Sequence, residues 1–144
     1  MSFGIILATH AHVGEAMLEA AEMLAGKQER VRALSLTPDT TVSEFEDQLV
    51  CAYDELAATY DHVVALCDIY GGSPFNVISR IKLAGRELTA FTGVSLPVLI
   101  ELLFSGNLTV DQVRTAVENA AANAVKEIVV ELAEDSDDDV DLDL

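Results

Sequence analysis

The stretch FGIILATH, from Phe3 to His10, decides the fold of this chain. Its apolar residues follow one another without the polar alternation of a half-exposed strand, which predicts a parallel strand buried on both faces. In an open α/β sheet the loops converge beyond the carboxyl ends of the strands, and the helices that follow direct N–H groups into the crevice there. His10 is therefore predicted to lie at the edge of the sheet where ligands and reactive groups collect.

The same kind of strand recurs along the chain. Strands are predicted near residues 3–9, 31–35, 62–67 and 88–92, with helical patterns between them. This alternation predicts an α/β fold, a doubly wound and mainly parallel sheet with helices on both faces, for which we expect the strand order 2-1-3-4. Thr109 and Gln112 have the spacing of a capping box, which predicts the start of the last helix.

A second candidate group follows the third predicted strand. Asp68 comes directly after HVVALC and opens the loop DIYGGSPFN, which ends at Asn76. Because the carboxyl ends of parallel strands meet at one edge of a sheet, we expect Asp68 close to His10. Ser73 is expected to be the N-cap of the next helix, with Pro74 at its first helical position. A histidine, a carboxylate and an anion-binding loop are thus predicted to share one edge.

Composition limits what the chain can bind. It has 144 residues, about half of them apolar, so we expect one domain over residues 1–133 and an acidic, disordered tail over 134–144. The net charge is −17, and −10 remains without the last eleven residues, which hold seven acids and no base. Such a charge argues against nucleic acid or an anionic membrane as a partner and favours a basic protein.

Neither a membrane span nor a signal peptide is evident. The sequence has no run of 18 apolar residues and lacks the pattern of a cleaved leader, so we expect a cytoplasmic protein that does not insert into the membrane. Cys51 and Cys67 have neither redox nor zinc spacing, and both are expected to be buried thiols. No metal and no cofactor are expected.

Three motifs together resemble the mannose family of enzyme IIA components of the phosphoenolpyruvate-dependent sugar phosphotransferase system. They are the strand that ends at His10, the loop from Asp68 to Asn76, and the stretch TGVSLPVL from Thr92 to Leu99. The resemblance covers most of residues 1–130. It implies a phosphocarrier that accepts a phosphoryl group on His10 from phospho-HPr and passes it to a IIB component, and so serves the IIC/IID membrane permease indirectly. It also implies a homodimer in which a terminal antiparallel strand, here Glu127–Leu132, is exchanged.

The residues agree with this chemistry. Neutral imidazole is a nucleophile near neutral pH, and a carboxylate on Nδ1–H would fix the tautomer and leave Nε2 to attack. His10 and Asp68 are therefore the candidate catalytic residues. The transferred phosphoryl group needs donors already in place, and glycine lets backbone N–H groups approach it closely. The candidate phosphoryl-binding residues are Thr9, Gly71, Gly72 and Ser73.

Other functions remain open at this point. A receiver-like signalling domain would be phosphorylated on Asp68, but it needs further carboxylates for magnesium after the first strand. A hydrolase could hold a metal with His10, His12 and Asp68, although no fourth ligand is evident. A flavin or nucleotide module would need a phosphate loop over Thr9–Glu15, which holds one glycine and an early acid. Without such roles, His12 is expected on the exposed rim of the loop or near the start of the first helix, and His62, at the opposite edge of the sheet, is expected to be structural or solvent-exposed.

Overall fold

The computed structural model describes residues 1–132, which form one layered α/β unit. Strands and helices alternate through most of it, as the sequence predicts. In chain order the elements are β1 (Phe3–His10), α1 (Val13–Ala25), β2 (Val31–Leu36), α2 (Val42–Thr59), β3 (His62–Cys67), α3 (Ser73–Leu83), β4 (Thr89–Phe91), α4 (Leu96–Phe104) and α5 (Val110–Ala122).

The four strands form one parallel sheet in the order β2-β1-β3-β4, which confirms the predicted topology. β1 is central, with Ile5 opposite Val31 on one side and Val64 on the other. Side chains of β1 alternate between two apolar cores. One core packs Ile5 and Leu7 against α1, α4 and α5, and the other packs Ile6 against α2 and α3. The fully apolar sequence of β1 follows from this burial on both faces.

Two local expectations differ from the structure. Ser73 is the first residue of α3, and the N-cap is Gly72, which has a φ of +92° and no side chain to cap the helix. The reason is the turn itself, since its two glycines carry the chain through left-handed backbone and only then does the helix begin. Cys51 is exposed, because it lies off the stripe of α2 that packs inward, whereas Cys67 is buried as expected.

The last described segment, Glu127–Leu132, forms no regular strand and pairs with none of the four strands of its own chain. Its apolar side chains are exposed, with Ile128 at 90% and Leu132 at 97%. Its exchange between two subunits stays a prediction, and the acidic tail over 134–144 lies outside the described residues. No helix within residues 1–132 combines the length and the apolar character needed to cross a membrane.

Candidate active site

His10 and Asp68 are in direct contact at the carboxyl edge of the sheet. They lie at and just beyond the ends of the paired strands β1 and β3. Asp68 Oδ2 accepts two hydrogen bonds from His10, one from the backbone N–H at 2.9 Å and one from ring Nδ1 at 2.8 Å. A ring that donates from Nδ1 has an unprotonated Nε2 in its neutral form. The arrangement therefore presents Nε2 as a nucleophile.

Asp68 is held as a carboxylate. Its side chain is only 15% exposed, and its other oxygen, Oδ1, accepts the backbone N–H of Ile69 at 3.1 Å. Burial by itself would raise the pKa of Asp68, but the hydrogen bonds from the His10 backbone and ring outweigh it and bring that pKa below its ordinary value. A carboxylate that is ionised and fixed in this way can orient the imidazole and stabilise positive charge on it.

The glycine turn leaves room beside the attacking nitrogen. Gly71 and Gly72 have φ of +76° and +92°, a region that side chains rarely adopt. A Cβ on Gly72 would lie 3.3 Å from His10 Cε1 and 3.6 Å from Nε2, so any other residue would press on the ring. α3 begins directly after this turn, and the first turn of a helix has N–H groups with no carbonyl partner inside the helix. These groups and the open space suit an anion on Nε2.

The loop that follows Asp68 exposes apolar side chains near the half-exposed histidine. The His10 side chain is 44% exposed, and the neighbouring loop exposes Ile69 at 54% and Tyr70 at 82%. The Tyr70 ring packs on Phe75 with ring centroids 4.5 Å apart. Within residues 1–132, no lysine or arginine forms a hydrogen bond or ion pair with His10 or Asp68.

Thr9 lies on the opposite face of the sheet from His10. Its side chain is fully buried, and its hydroxyl accepts the backbone N–H of Gly14 at 2.9 Å, where it holds the first turn of α1. Neighbouring residues of a strand point to opposite faces, so Thr9 faces the α1 side of the sheet while His10 faces the α3 side. A phosphoryl-binding role for Thr9 stays a prediction, which its buried position does not support. Ser73 keeps its place beside the glycine turn, and its hydroxyl forms no hydrogen bond with the other described residues.

His12 and His62 lie apart from the pair. The His12 ring contacts Glu15 Oε2 at 3.1 Å, and both side chains are exposed, as expected for the rim of the loop. His62 begins β3 at the opposite edge of the sheet, where its Nε2 donates to the Leu108 carbonyl at 2.8 Å. Among residues 1–132, no group of three or more histidine, cysteine, aspartate and glutamate side chains is placed to hold a metal ion, so the structure does not favour a metal site built from His10, His12 and Asp68.

Sequence reasoning missed the conformation of Ala11. This residue has a φ of +46°, and its N–H donates to the Leu36 carbonyl at 2.8 Å. Left-handed backbone is uncommon for alanine and marks a turn fixed by its surroundings. It redirects the chain between His10 at the end of β1 and the start of α1. No sequence signal announces it, because glycine or asparagine is the usual residue at such a position.

Comparison with known proteins finds relatives that are IIA or IIAB components of phosphotransferase systems. The family model described as "PTS system fructose IIA component" matches residues 4–121. The mannose-specific EIIAB component of Escherichia coli K12 is 35% identical over 108 residues, which cover 73% of this chain and 32% of that protein. The sorbose-specific EIIA component of Lacticaseibacillus casei is 29% identical over 105 residues, which cover 72% of this chain and 73% of that protein. The chain thus spans about a third of the length of the EIIAB relatives it matches.

Solved structures give the same answer at the level of the fold. The PTS IIA protein associated with the fucose utilization operon of Streptococcus pneumoniae superposes with a TM-score of 0.80 at 32% identity, over 88% of this chain and 93% of that one. The mannose/sorbose-specific IIA subunit from Enterococcus faecalis superposes with a TM-score of 0.81 over 92% of this chain and 99% of that one. At 24% identity this second likeness speaks for the fold alone.

Proposed function

The chain belongs to the mannose family of enzyme IIA components of the sugar phosphotransferase system, and from this premise we propose that it is a phosphocarrier that works through a phosphohistidine at His10. The observation that carries the proposal is the 2.8 Å contact between His10 Nδ1 and Asp68 Oδ2 beside a glycine turn. Phospho-HPr is the donor, and a IIB component is the acceptor. Uptake of the sugar by the IIC/IID permease is served only indirectly.

The transfer step needs no net proton movement at this site. His10 Nε2 attacks the phosphorus of phospho-HPr, the nitrogen–phosphorus bond to the donor histidine breaks, and a new nitrogen–phosphorus bond forms on Nε2. Nδ1 keeps its proton, so the phosphorylated ring carries a positive charge that the Asp68 carboxylate offsets at 2.8 Å. The reverse sequence of bond changes hands the phosphoryl group to IIB.

The glycine turn stabilises the transferred group. Gly71, Gly72 and Ser73 lead into α3, whose first backbone N–H groups and partial positive charge suit the three phosphoryl oxygens. Gly72 is required to be small because a side chain there would meet the ring. The remaining stabilisation comes from basic residues of the docked partner, which a chain with a net charge of −17 attracts.

The working unit is a cytoplasmic homodimer of domains that span residues 1–133. Among residues 1–132, β4 lies at the end of the sheet and pairs on one edge alone, and Glu127–Leu132 exposes Ile128, Val129 and Val130. An unpaired edge and an exposed apolar β-branched segment favour pairing with another chain. Exchange of these segments, each antiparallel to the β4 of the other subunit, would cover both.

Mass mapping of the phosphorylated residue tests the proposal. The full chain is incubated with phosphoenolpyruvate, enzyme I and HPr, and a single phosphoryl group is expected on His10. His12→Asn is the matched control, because it removes the other histidine of the same loop and should leave the label in place. A label on His12, on Asp68 or on no residue would contradict the assignment.

A further inference from the structure

A cavity lies at the amino edge of the sheet, opposite the candidate active site. It has a volume of about 470 Å³ and is bounded by the start of β3, the start of β4, the end of α3 and the first turns of α5. Three basic residues line it, Lys82, Arg86 and Arg114. The whole chain holds only eight lysines and arginines against 25 acids, so three cations at one cavity are a concentration of positive charge.

The three cations have N–H donors that form no hydrogen bond with other described residues. Lys82 Nζ donates to the Leu88 carbonyl at 2.8 Å and forms no ion pair with any carboxylate among residues 1–132. Arg86 contacts Asp54 through one bond of 3.3 Å, and Arg114 contacts Asp111 through one bond of 2.7 Å. Because a guanidinium has five N–H donors, each arginine can bind a further carboxylate.

The acids near these three cations compensate their positive charge only weakly. Asp54 and Asp111 contact the two arginines from outside the lining and are 57% and 92% exposed, and such exposed pairs are weak and easily rearranged. Asp61 is occupied by Ser2, whose N–H and hydroxyl both donate to its Oδ2. Glu87 is the remaining acid of the lining, and it forms no ion pair with another described residue.

The exchanged dimer brings the acidic end of the chain to this cavity. A segment that pairs antiparallel with β4 ends beside the residue where β4 begins, Thr89, which lines the cavity with Leu88. Residue 132 of the partner would therefore lie next to the cations, and the following residues carry Glu134, Asp135 and then three consecutive aspartates, Asp137, Asp138 and Asp139. Each extended residue advances about 3.3 Å, so a few residues span the cavity.

We propose that the acidic segment 134–139 of one subunit docks on Lys82, Arg86 and Arg114 of the other and latches the exchanged strand. The inference rests on the proposed dimer and adds an ionic contact to it. Opposite charge fixes the direction of the exchanged strand, since the parallel orientation would carry the acids away from the cations. The occupant is a carboxylate-rich peptide held by tethering, so its binding is an intramolecular event of the dimer.

Nuclear magnetic resonance on the full chain tests the latch. The tail-neutral variant combines Glu134→Gln with Asp→Asn at 135, 137, 138 and 139, and its backbone amide shifts at Leu88 and Thr89 are compared with those of the unchanged chain. We expect a difference at about 20 mM salt that fades near 0.5 M, where screening shortens to a few ångströms. Lys82→Gln with Arg114→Gln should abolish the difference, and the matched pair Lys27→Gln with Arg80→Gln should keep it.

Mixed dimers decide whether the contact crosses between subunits. ¹⁵N-labelled tail-neutral chains are equilibrated with excess unlabelled full chains, and the Leu88 and Thr89 shifts of the labelled chains should return to those of the unchanged protein. Sedimentation of the tail-neutral variant and of the unchanged chain, each alone, should show a dimer dissociation constant about 2- to 10-fold higher for the variant at low salt.

Four outcomes would each overturn the latch. They are unmoved amides, a difference that survives Lys82→Gln with Arg114→Gln, no recovery in mixed dimers, and a monomeric full chain. His10 phosphorylation, measured in parallel, is expected to be unchanged and reports separately on the phosphocarrier function.

Discussion

Two histidines at opposite edges of the same sheet show how surroundings decide what an imidazole does. His10 ends β1 and donates Nδ1–H to the Asp68 carboxylate, with its Nε2 beside a glycine. His62 begins β3 and uses Nε2 to donate to the Leu108 carbonyl, while its ring stacks on Phe3 with centroids 5.4 Å apart. The first ring keeps its nucleophilic nitrogen open, and the second has that nitrogen engaged in holding the chain.

The difference follows from what each edge of a parallel sheet offers. At the carboxyl edge, loops carry side chains and helix N-termini toward one point, which favours binding and chemistry. At the amino edge, the His62 ring donates to the Leu108 carbonyl and so fixes the chain just before α5. Its backbone N–H donates to the Ser2 carbonyl and so fixes the start of the chain. Identical side chains can therefore be catalytic or structural according to the partner of each ring nitrogen.

Removing each ring in turn gives the largest contrast. We expect His10→Ala to abolish phosphorylation and to leave the fold intact, because a half-exposed residue at a strand end contributes little to the core. His62→Ala should leave transfer from phospho-HPr within about 2-fold of the unchanged chain. Mass mapping and circular dichroism check both variants, and phosphorylation that survives His10→Ala would remove the distinction between the two histidines.

Removing the charge on the orienting carboxylate should have the next largest effect. Asp68→Asn keeps the shape but loses the negative charge opposite the phosphorylated ring, so transfer should slow by about 10²- to 10⁴-fold, on the scale of known orienting carboxylates. Glu15→Gln is the matched control, since it neutralises the carboxylate beside His12, and its rate should not change. Rapid-quench measurement of transfer from phospho-HPr checks this, and equal rates for both variants would exclude Asp68 from the mechanism.

A methyl group at the glycine turn should disturb the ring more gently. Gly72→Ala places a Cβ 3.3 Å from His10 Cε1, and displacement of a reacting group by a fraction of an ångström should slow transfer roughly 10-fold. Gly71→Ala is the control, because it has a similar positive φ but nothing within 4 Å of the added Cβ. Both should lose about 1–2 kcal/mol of unfolding free energy to backbone strain, but only the first should slow transfer. Equal rates would mean that Gly72 serves the turn alone.

At the structural edge the effect should appear in stability. His62→Ala loses the hydrogen bond to Leu108 and the packing on Phe3, so the free energy of unfolding should fall by about 1–3 kcal/mol. Urea denaturation of the full chain measures it, with His12→Ala as a control that should stay within about 0.5 kcal/mol because its ring is exposed. An unchanged stability for His62→Ala would leave that ring without a structural role.

The smallest expected effect is a dependence of stability on pH. Because the folded pKa of Asp68 lies below its ordinary value, its ionised form stabilises the folded chain. This contribution is fully present above the ordinary carboxyl pKa near 3.9 and is lost as the pH falls through the lower folded pKa. The stability difference between the unchanged chain and Asp68→Asn should therefore shrink below about pH 4. Denaturation from pH 7 to pH 3 checks the sign, and a difference that grows in acid would contradict it.

Most of the fold could be predicted because its signals are local. The run from Phe3 to Ala8, the capping box of Thr109 with Gln112 and the glycine after α3 each reflect the period or the end of one element. The contact of His10 with Asp68 was also accessible, since two parallel neighbouring strands must end at one edge. Ser73 has the chemistry of an N-cap, but the conformation of the two preceding glycines places it inside the helix, and that conformation is not visible in the sequence.

The sequence by itself determined that this chain forms alternating strands and helices and that a histidine, a carboxylate and two glycines meet at one edge, because hydrophobic period, capping and parallel pairing are short-range rules. Only the tertiary structure decided which neighbours share a face. It buried Thr9 against Gly14 while His10 faced the glycine turn, it turned Cys51 to solvent, and it gathered three cations at the far edge from separate elements. These features depend on the packing of several elements at once, so they cannot be read from any short stretch of sequence.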